Sequence, residues 1–306
     1  MNRVLVTGAT GHLGKSVTRA LVNAGIPVLA VARRADALAA LKETMPGAAL
    51  ETAVADLAVP ASIAAIASQF GPLRQIIHLA AQVDAAATLD QHMSGNLLAT
   101  VSLVGALREH LEQIVYLSSI EVYGTPQTVP MHESHPTTPT AYYGAGKLAA
   151  EKFLQVFAME RGATVTSLRC ASIYGPGETI RRATTVFLQN AARGKALQIA
   201  GDGTDLRDYI YVEDCANAVV RALHARKPGV FNLGGGAPLS IADMAQIVMD
   251  VSGKDLPIVR GERTKPKYDL ALDITKICAE IGWTPATTMQ EGLAAEYRSF
   301  LNVSGL

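Results

Sequence analysis

The sequence predicts an α/β fold built on a doubly wound parallel sheet, and three observations support this prediction. In the first half of the 306-residue chain, short β-branched segments alternate with longer segments rich in alanine and leucine, as in repeated βαβ units. The short segments are apolar throughout, as expected for strands buried on both faces of a sheet. A glycine-rich turn directly follows the first of them. Ligands of such sheets bind beyond the carboxyl ends of the strands.

The predicted elements follow one another in strict alternation through the first 169 residues. The six strands are predicted at Arg3–Thr7, Val28–Ala32, Leu50–Ala53, Gln75–Leu79, Gln113–Ser118 and Thr164–Arg169. Five helices separate them, at Leu13–Asn23, Ala35–Met45, Pro60–Gln69, Met93–Glu109 and Tyr142–Arg161. Their apolar residues recur at the helical period, which places one face of each helix on the sheet.

After Arg169 the alternation stops at a turn sequence, Tyr174-Gly175-Pro176-Gly177. A helix over Glu213–Ala225 and a strand over Val230–Leu233 are predicted to return to the sheet. The chain after Leu233 is predicted to be helical, interrupted by proline and glycine. The sequence therefore predicts two interleaved domains. A nucleotide-binding domain comprises residues 1–169 and 211–235, and a smaller C-terminal α/β substrate domain comprises residues 170–210 and 236–306.

The composition excludes several classes of function. Lys plus Arg equals Asp plus Glu at 27 each, so no excess positive charge indicates binding to nucleic acid or to an anionic membrane. The three cysteines lack the spacing of a metal site, which favours a reducing compartment and no bound metal. Neither a signal-peptide pattern nor a long uncharged apolar segment is present. We expect a cytoplasmic protein.

The segment Thr7–Gly14, with sequence TGATGHLG, has the pattern of a dinucleotide-binding loop between a strand and a helix. Gly8 permits the tight turn, Gly11 lets the backbone approach a pyrophosphate, and Gly14 allows close helix packing. The helix start then offers free N–H groups and a positive dipole to the phosphates. The residues predicted to contact the cofactor here are Gly8, Thr10, Gly11, His12, Leu13 and Gly14.

The second strand indicates which dinucleotide is bound. An acid at its end normally binds the adenosine ribose of NAD, but Ala32 occupies that position and Arg33 and Arg34 follow. An arginine there suits the 2′-phosphate of NADP, so NADP is favoured over NAD, unless both arginines are ordinary surface charges. Asp56, after the third strand, is predicted either to contact the adenine or to cap the next helix.

Tyr143 and Lys147 are four residues apart on a predicted helix, so their side chains share one face. A tyrosine with a pKa near 10 is a poor base at neutral pH. The Lys147 ammonium and the positive nicotinamide are expected to lower that pKa, while Lys147 also holds the cofactor ribose. Ser118 and Ser119 end the fifth strand, where a hydroxyl is placed to bind the substrate oxygen during hydride transfer.

In these features the sequence resembles the extended short-chain dehydrogenases/reductases with a Rossmann-type fold, in their NAD-dependent epimerase/dehydratase branch. The resemblance covers nearly the whole chain, and many members act on nucleotide-linked sugars. Besides the glycine loop and Tyr143 with Lys147, it is carried by Asp56-Leu57, His78-Leu79-Ala80-Ala81, Asn96, Ser118–Gly124, Leu168-Arg169, Tyr174-Gly175-Pro176, Gly201-Asp202-Gly203, Arg207–Asp214, Phe231–Gly234 and Gly282–Pro285.

The resemblance implies roles for individual residues. Ser119 matches the hydroxyl that binds the sugar, Tyr143 the base and Lys147 its partner. Arg207 and Arg263 match arginines that bind the nucleotide pyrophosphate, although an ion pair of Arg207 with Asp205 or Asp208 is the alternative. Further cofactor contacts are implied for Asp56, Leu57, Leu79, Ala80, Ala81, Asn96 and Ser118, and further substrate contacts for Glu121 and Ser172. The family also implies a homodimer formed by the helices at Met93–Glu109 and Tyr142–Arg161.

Four positions depart from the family pattern and weaken the inference to a standard UDP-hexose. The acid that selects NAD is replaced by Ala32, and an Asn before the Tyr-Gly-Pro turn is replaced by Ser172. Ala200 stands where several epimerases place an aromatic residue. The segment Arg263–Pro266 lacks the Asp expected to bind a ribose.

The residues leave several reactions open. Epimerisation of a nucleotide sugar by reversible hydride transfer, with Tyr143 as base, is the reaction favoured here. An NADPH-dependent carbonyl reductase would use the same Ser, Tyr and Lys and is the alternative. Glu121 keeps dehydration or decarboxylation open, since those reactions need an acid at this place. A non-catalytic nucleotide sensor is the least favoured interpretation because Tyr143 and Lys147 are both present.

Overall fold

The computed structural model describes residues 3–263 and 266–304. Its strands are β1 (Val4–Thr7), β2 (Val28–Ala32), β3 (Leu50–Val54), β4 (Gln75–His78), β5 (Gln113–Ser119), β6 (Thr164–Cys170), β7 (Ser172–Tyr174), β8 (Leu197–Ala200), β9 (Leu206–Arg207), β10 (Tyr209–Tyr211), β11 (Gly229–Leu233), β12 (Leu239–Ser240) and β13 (Ile258–Gly261). Its α-helices are α1 (His12–Asn23), α2 (Ala35–Glu43), α3 (Pro60–Phe70), α4 (Leu89–His92), α5 (Ala99–Leu107), α6 (Tyr142–Arg161), α7 (Ala183–Ala192), α8 (Val212–Ala225), α9 (Ile241–Ser252), α10 (Thr275–Ile281) and α11 (Met289–Ser304).

Seven of these strands form one parallel sheet in the order β11-β6-β5-β4-β1-β2-β3. The predicted doubly wound α/β fold is thus confirmed, and the strand after α8 joins the sheet beside β6. The chain reverses its direction of progress across the sheet between β1 and β4. In this class of fold the crevice at such a reversal is where a ligand binds.

Helices cover both faces of the sheet because successive strand residues are apolar on both sides. Val4 and Val6 pack into the core under α1 and α8, whereas Leu5 packs into a second core under α3 and α5. The same alternation recurs on the neighbouring strands, where Ile76 and Ile77 are both fully buried but belong to opposite cores. This two-sided burial explains the continuous apolar strand sequences.

The later part of the chain builds a smaller apolar core of its own. It contains residues of α7, α9 and α11, including Phe187, Met244 and Leu293. Two short strand pairs, β8 with β13 and β9 with β12, lie in this part. The prediction that the chain after Leu233 is helical was wrong at β12 and β13, because strands of two to four residues carry no detectable period. The division into two domains stays a prediction.

One predicted helix is divided in the structure. In place of a single helix over Met93–Glu109, α4 is followed by a π-helical segment at Met93–Leu98 and then by α5. A π-helical turn is rare and is often found at functional sites. No helix in the described part of the chain is long and apolar enough to cross a membrane.

Candidate active-site cleft

A cleft of about 720 Å³ lies beyond the carboxyl ends of the central strands. The glycine loop forms one end of it, and the end of β5 with the start of α6 forms the other. The turn after β7 closes its side through Glu178–Ile180 and Arg182. Of the predicted residues, Gly8, Thr10, Gly11, His12, Leu13, Gly14, Arg33, Asp56, Leu57, Leu79, Ala80, Ala81, Ser118, Ser119, Glu121, Tyr143, Lys147 and Ser172 all line this cleft.

The glycine loop has no room for side chains at two of its positions. Gly8 adopts a φ of +65°, and a Cβ there would lie 2.8 Å from the main-chain nitrogen of Ala80. A Cβ on Gly14 would lie only 2.0 Å from the carbonyl oxygen of Gly8. No side chain caps the start of α1 at Gly11, so the first N–H groups of this helix face the cleft. This cradle fits a dinucleotide pyrophosphate.

The two arginines after β2 differ in their surroundings. Arg34 lies outside the cleft and forms an ion pair with Asp36 in the first turn of α2. Arg33 lines the cleft beside Ala32 and forms no ion pair with any described residue. Asp56 also lines the cleft, but one of its carboxylate oxygens accepts a hydrogen bond from the Ala58 N–H, 3.0 Å away.

Tyr143 and Lys147 lie on the buried side of α6, whereas Tyr142 is 59 % exposed, as the spacing predicts. Lys147 is 1 % exposed, and its Nζ donates a hydrogen bond to the carbonyl oxygen of Leu117 at 2.7 Å. The same Nζ is 6.0 Å from the centre of the Tyr143 ring. The helix thus brings an amine and a phenol to the inner end of the cleft.

The electrostatics of this pair correct one prediction. Burial raises the pKa of Tyr143 well above its ordinary value of 10.0, and the charge of Glu121 adds to the increase, although Ser119 and Arg182 oppose it. Burial also lowers the pKa of Lys147 to about 7, with Glu151 and Cys170 opposing the decrease. In the protein alone the pKa of Tyr143 is therefore raised rather than lowered, and burial also reduces the fraction of Lys147 that carries a charge. A bound oxidised nicotinamide would add a second positive charge to that of Arg182 and lower the pKa of Tyr143 further.

The serines and the glutamate after β5 are held at different depths. Ser118 is 2 % exposed, and its hydroxyl has no hydrogen-bond partner among the described residues. The Ser119 oxygen accepts a hydrogen bond from the Glu121 N–H at 3.1 Å and lies close enough to Tyr143 to lower its pKa. Partial burial raises the pKa of Glu121, against the charges of Arg182 and His92. Glu121 thus has a carboxyl group at the cleft that accepts a proton more readily than usual.

The structure gives Asn96 a different role from the predicted cofactor contact. Its side-chain amide donates to the Gln82 carbonyl oxygen at 3.1 Å and accepts from the Gln82 N–H at 2.8 Å. Asn96 is 1 % exposed and does not line the cleft. It therefore fixes the segment after β4, which forms one wall of the cleft beside the glycine loop.

A buried histidine beneath the cleft has no role that the sequence predicts. The His78 ring bonds Thr7 Oγ1 at 2.7 Å on one side and Thr100 Oγ1 at 2.9 Å on the other. Burial lowers the pKa of His78 to about 3, and the charge of Lys147 adds to the decrease. A neutral His78 therefore joins β1, β4 and α5 under the glycine loop.

Arg207 and Arg263 meet at one carboxylate rather than in the cleft. Arg263 binds both oxygens of Asp205, at 2.8 and 2.7 Å, and also Asp202 at 2.7 Å. Arg207 Nη2 lies 3.8 Å from Asp205, and its Nη1 donates to the Leu206 and Tyr268 carbonyl oxygens. That Arg207 and Arg263 bind a pyrophosphate stays a prediction. The phosphates would have to compete with Asp205 for both arginines. Residues 264 and 265 lie outside the described residues.

Two features of the turn after β7 are not predicted from the sequence. His12 of the glycine loop lies 3.4 Å from a carboxylate oxygen of Glu178 and 3.2 Å from the Pro176 carbonyl oxygen. This contact joins the glycine loop to the turn, although 164 residues separate His12 from Pro176. Arg182 lines the cleft four residues further along. Neither Glu178 nor Arg182 belongs to a motif with a recognisable spacing.

Comparison with known proteins establishes the family. A model of the NAD dependent epimerase/dehydratase family matches residues 4–234. The chain belongs to this family. It is 30 % identical over 316 residues to UDP-glucose 4-epimerase of Mycolicibacterium smegmatis, with 99 % of each chain covered. It is 28 % identical to dTDP-glucose 4,6-dehydratase of Streptomyces griseus, covering 95 % of this chain and 92 % of that one.

Solved structures agree with this assignment. UDP-glucose 4-epimerase of Thermotoga maritima, solved with UDP-glucose, matches with a TM-score of 0.89 at 26 % identity, covering 99 % of this chain and 100 % of that one. UDP-glucose 4-epimerase of Thermus thermophilus, solved with NAD, matches with a TM-score of 0.85 at 25 % identity, covering 97 % and 98 %. The predicted family is confirmed, and the chain is an enzyme of the nucleotide-sugar epimerase/dehydratase class.

Proposed function

We propose that this protein is an epimerase that inverts a hydroxyl-bearing carbon of a nucleotide-linked sugar. The observation that carries the proposal is the convergence of Tyr143, Lys147 and Ser119 at the inner end of a cleft whose other end is the glycine loop. The similarity to 4-epimerases over 99 % of the chain supports it. A bound nicotinamide dinucleotide would supply the hydride acceptor and return the hydride.

The side chains of this site divide the remaining work. The glycine loop and the start of α1 hold the pyrophosphate, and Lys147, fixed by the Leu117 carbonyl oxygen, contacts the cofactor ribose. Ser119 binds the sugar oxygen next to Tyr143. The phenol oxygen of Tyr143 takes the proton of the sugar hydroxyl as the hydride leaves and gives it back on reduction. The sugar must turn over between the two steps so that its other face meets the hydride.

The test is Tyr143→Phe, which removes only the titratable oxygen. We expect turnover to fall by about 10²- to 10⁴-fold, the range for loss of an acid–base group, with the amount of bound cofactor unchanged. Inversion is followed by NMR over a panel of nucleotide sugars, and the cofactor is measured after denaturation. A variant that retains full turnover would contradict the mechanism. Turnover that consumes added NADPH stoichiometrically would identify a reductase instead.

Glu121 supports a second reaction at the same site. Its carboxyl group borders the cleft and its pKa is raised, as suits an acid that assists loss of water or of carbon dioxide from a keto-sugar. If the protein is a dehydratase or decarboxylase, Glu121→Gln should abolish that product while slow hydride exchange persists. If it is an epimerase, Glu121→Gln should change turnover far less than Tyr143→Phe does.

We also propose that Arg33 selects NADP over NAD by binding its 2′-phosphate. Support comes from Ala32 in place of an acid and from Arg33 lining the cleft without an ion-pair partner among described residues. Arg33→Ser should weaken NADP binding to cofactor-free protein by about tenfold or more, as for loss of a charge-assisted bond, and leave NAD binding unchanged. Arg34→Ser is the matched control because Arg34 is paired with Asp36. If the ratio of NADP affinity to NAD affinity is the same in Arg33→Ser as in the parent protein, Arg33 does not select the cofactor.

We further propose that the protein is a homodimer formed through α6 and the helical segment Met93–Glu109. Support comes from large apolar side chains exposed on this face. Phe153, Val156 and Met159 are 55, 51 and 81 % exposed, and Leu98 is 46 % exposed. Three large apolar side chains exposed within two turns of one helix are typical of a protein–protein interface.

A further inference from the structure

Arg182 is a cation at the reacting end of the cleft, and nothing in the proposed mechanism uses it. It lines the cleft together with Glu121, Tyr143 and Ser172. Its charge acts on both reacting groups, since it lowers the pKa of Glu121 and opposes the increase at Tyr143. Arg182 therefore lies close to the place where the sugar hydroxyl is oxidised.

The guanidinium of Arg182 is poorly satisfied by the protein. Its Nε is buried and has no hydrogen-bond partner in the part of the chain that the structure describes. Its Nη1 lies 3.5 Å from the hydroxyl oxygen of Ser172, at the limit of a hydrogen bond. Within residues 3–263 and 266–302 it forms no ion pair with a carboxylate, Glu121 included. Burying an arginine whose N–H groups lack partners is destabilising unless a bound anion accepts hydrogen bonds from them.

We infer that Arg182, together with Ser172, binds a carboxylate carried by the sugar, so that the substrate is a nucleotide-linked hexuronic acid. This inference rests on the proposed function, because it places the reacting hydroxyl at Tyr143 and Ser119. In a hexuronic acid the carboxyl carbon is attached to the ring carbon next to C4. Oxidation at C4 therefore brings the carboxylate to the neighbourhood of the base, where Arg182 and Ser172 lie.

The chemistry of the two side chains suits a carboxylate better than a neutral hydroxymethyl group. A guanidinium offers planar N–H donors that match the two oxygens of a carboxylate, and the Ser172 hydroxyl supplies a further donor. A hydroxymethyl group has one oxygen and no charge, so it would leave the Arg182 charge uncompensated. The structure therefore predicts that the protein discriminates between two sugars that differ only at this carbon.

The experiment compares UDP-glucuronic acid with UDP-glucose as probes, using the protein with its co-purified cofactor. Affinities are measured by calorimetry and turnover by NMR, for the parent protein and for Arg182→Gln. We expect Arg182→Gln to weaken binding of UDP-glucuronic acid by about 10- to 100-fold, the range for a lost hydrogen bond to a charged group, and to change binding of UDP-glucose less than threefold. Arg181→Gln is the matched control, since Arg181 is exposed and does not line the cleft.

The outcomes separate this inference from the proposed function. Equal weakening of both probes, or no weakening of either, overturns the carboxylate site even if the protein proves to be an epimerase. Recovery of UDP-glucuronic acid binding in a double variant of Arg182→Gln with Glu121→Gln would also overturn it, because Arg182 would then serve only to balance Glu121. Selective weakening without any epimerisation would support the carboxylate site and refute the proposed reaction.

Discussion

At the scale of single residues, burying Lys147 is destabilising. The side chain is 1 % exposed, satisfied by one carbonyl oxygen, and its pKa is lowered to about 7 by burial. Its unfolded-state pKa is near 10.4. Active sites commonly retain such groups, because the property that destabilises the fold is the one the chemistry uses.

This leads to a prediction about stability and pH. Between about pH 7 and pH 10 the unfolded chain binds a proton at Lys147 that the folded protein does not, so this residue makes the free energy of unfolding rise with pH. Below pH 7 both states are protonated and the full cost of burial is present. Lys147→Met should remove this dependence. The free energy of unfolding of both proteins is measured by urea denaturation at pH 6.5 and pH 9.5. The difference between variant and parent should change by about 3 kcal/mol between these two pH values.

The sign of this change in the free energy of unfolding tests the prediction. The variant should be more stable than the parent protein at the lower pH, and its advantage should shrink as the pH rises. Other groups that titrate in this range are common to both proteins and cancel in the difference. A difference that stays constant across the range would show that Lys147 is protonated in the folded state throughout.

At the scale of elements, the position of α6 depends on an ion pair that the sequence does not predict. Arg169 at the end of β6 donates to both carboxylate oxygens of Glu151, the shortest bond being 2.9 Å, and also to the Glu133 carbonyl oxygen at 3.1 Å. Both side chains of the pair are at most 4 % exposed. Glu151 lies one turn after Lys147, so this pair fixes the helix that carries Tyr143 and Lys147.

We therefore predict that Glu151→Gln destabilises the protein by about 3–5 kcal/mol, because it leaves the buried Arg169 charge uncompensated. The measurement is the free energy of unfolding from urea denaturation. Lys152→Gln is the control, since Lys152 is the exposed neighbour on the same helix and should change stability by less than about 0.5 kcal/mol. Similar values for the two variants would mean that the pair contributes no more than a surface contact.

At the scale of the whole molecule, the exposed apolar face of α6 predicts the assembly. A dimer should have twice the 32.2 kDa mass of one chain, about 64 kDa. Phe153→Glu places a charge in the middle of this face and should give a monomer with an unchanged circular dichroism spectrum. Light scattering after size exclusion measures the mass.

Ile258→Glu serves as the control for this experiment. Ile258 is also an exposed apolar residue, 39 % accessible, but it lies on β13 in the later part of the chain. It should leave the dimer intact. A monomeric parent protein, or a dimer that survives Phe153→Glu and dissociates in Ile258→Glu, would place the interface elsewhere.

The sequence by itself determined the order of the elements in the sheet region and the local motifs of the site. Two-sided burial leaves apolar strand sequences, the helical period sets Tyr143 and Lys147 on one face, and the loop between β1 and α1 requires glycine at Gly8 and Gly14. These features depend on residues close together in the chain. Their physical causes act over a few bonds, so a single sequence records them.

Only the tertiary structure decided which side chains meet across the fold. It joined His12 to the turn at Pro176, turned Asn96 toward the Gln82 main chain, and brought Arg207 and Arg263 to one carboxylate. It also showed that Lys147 and Tyr143 are buried together, so that burial raises the pKa of Tyr143 and lowers that of Lys147. Burial and charge at a site are sums over residues from many elements, and no local pattern records those sums.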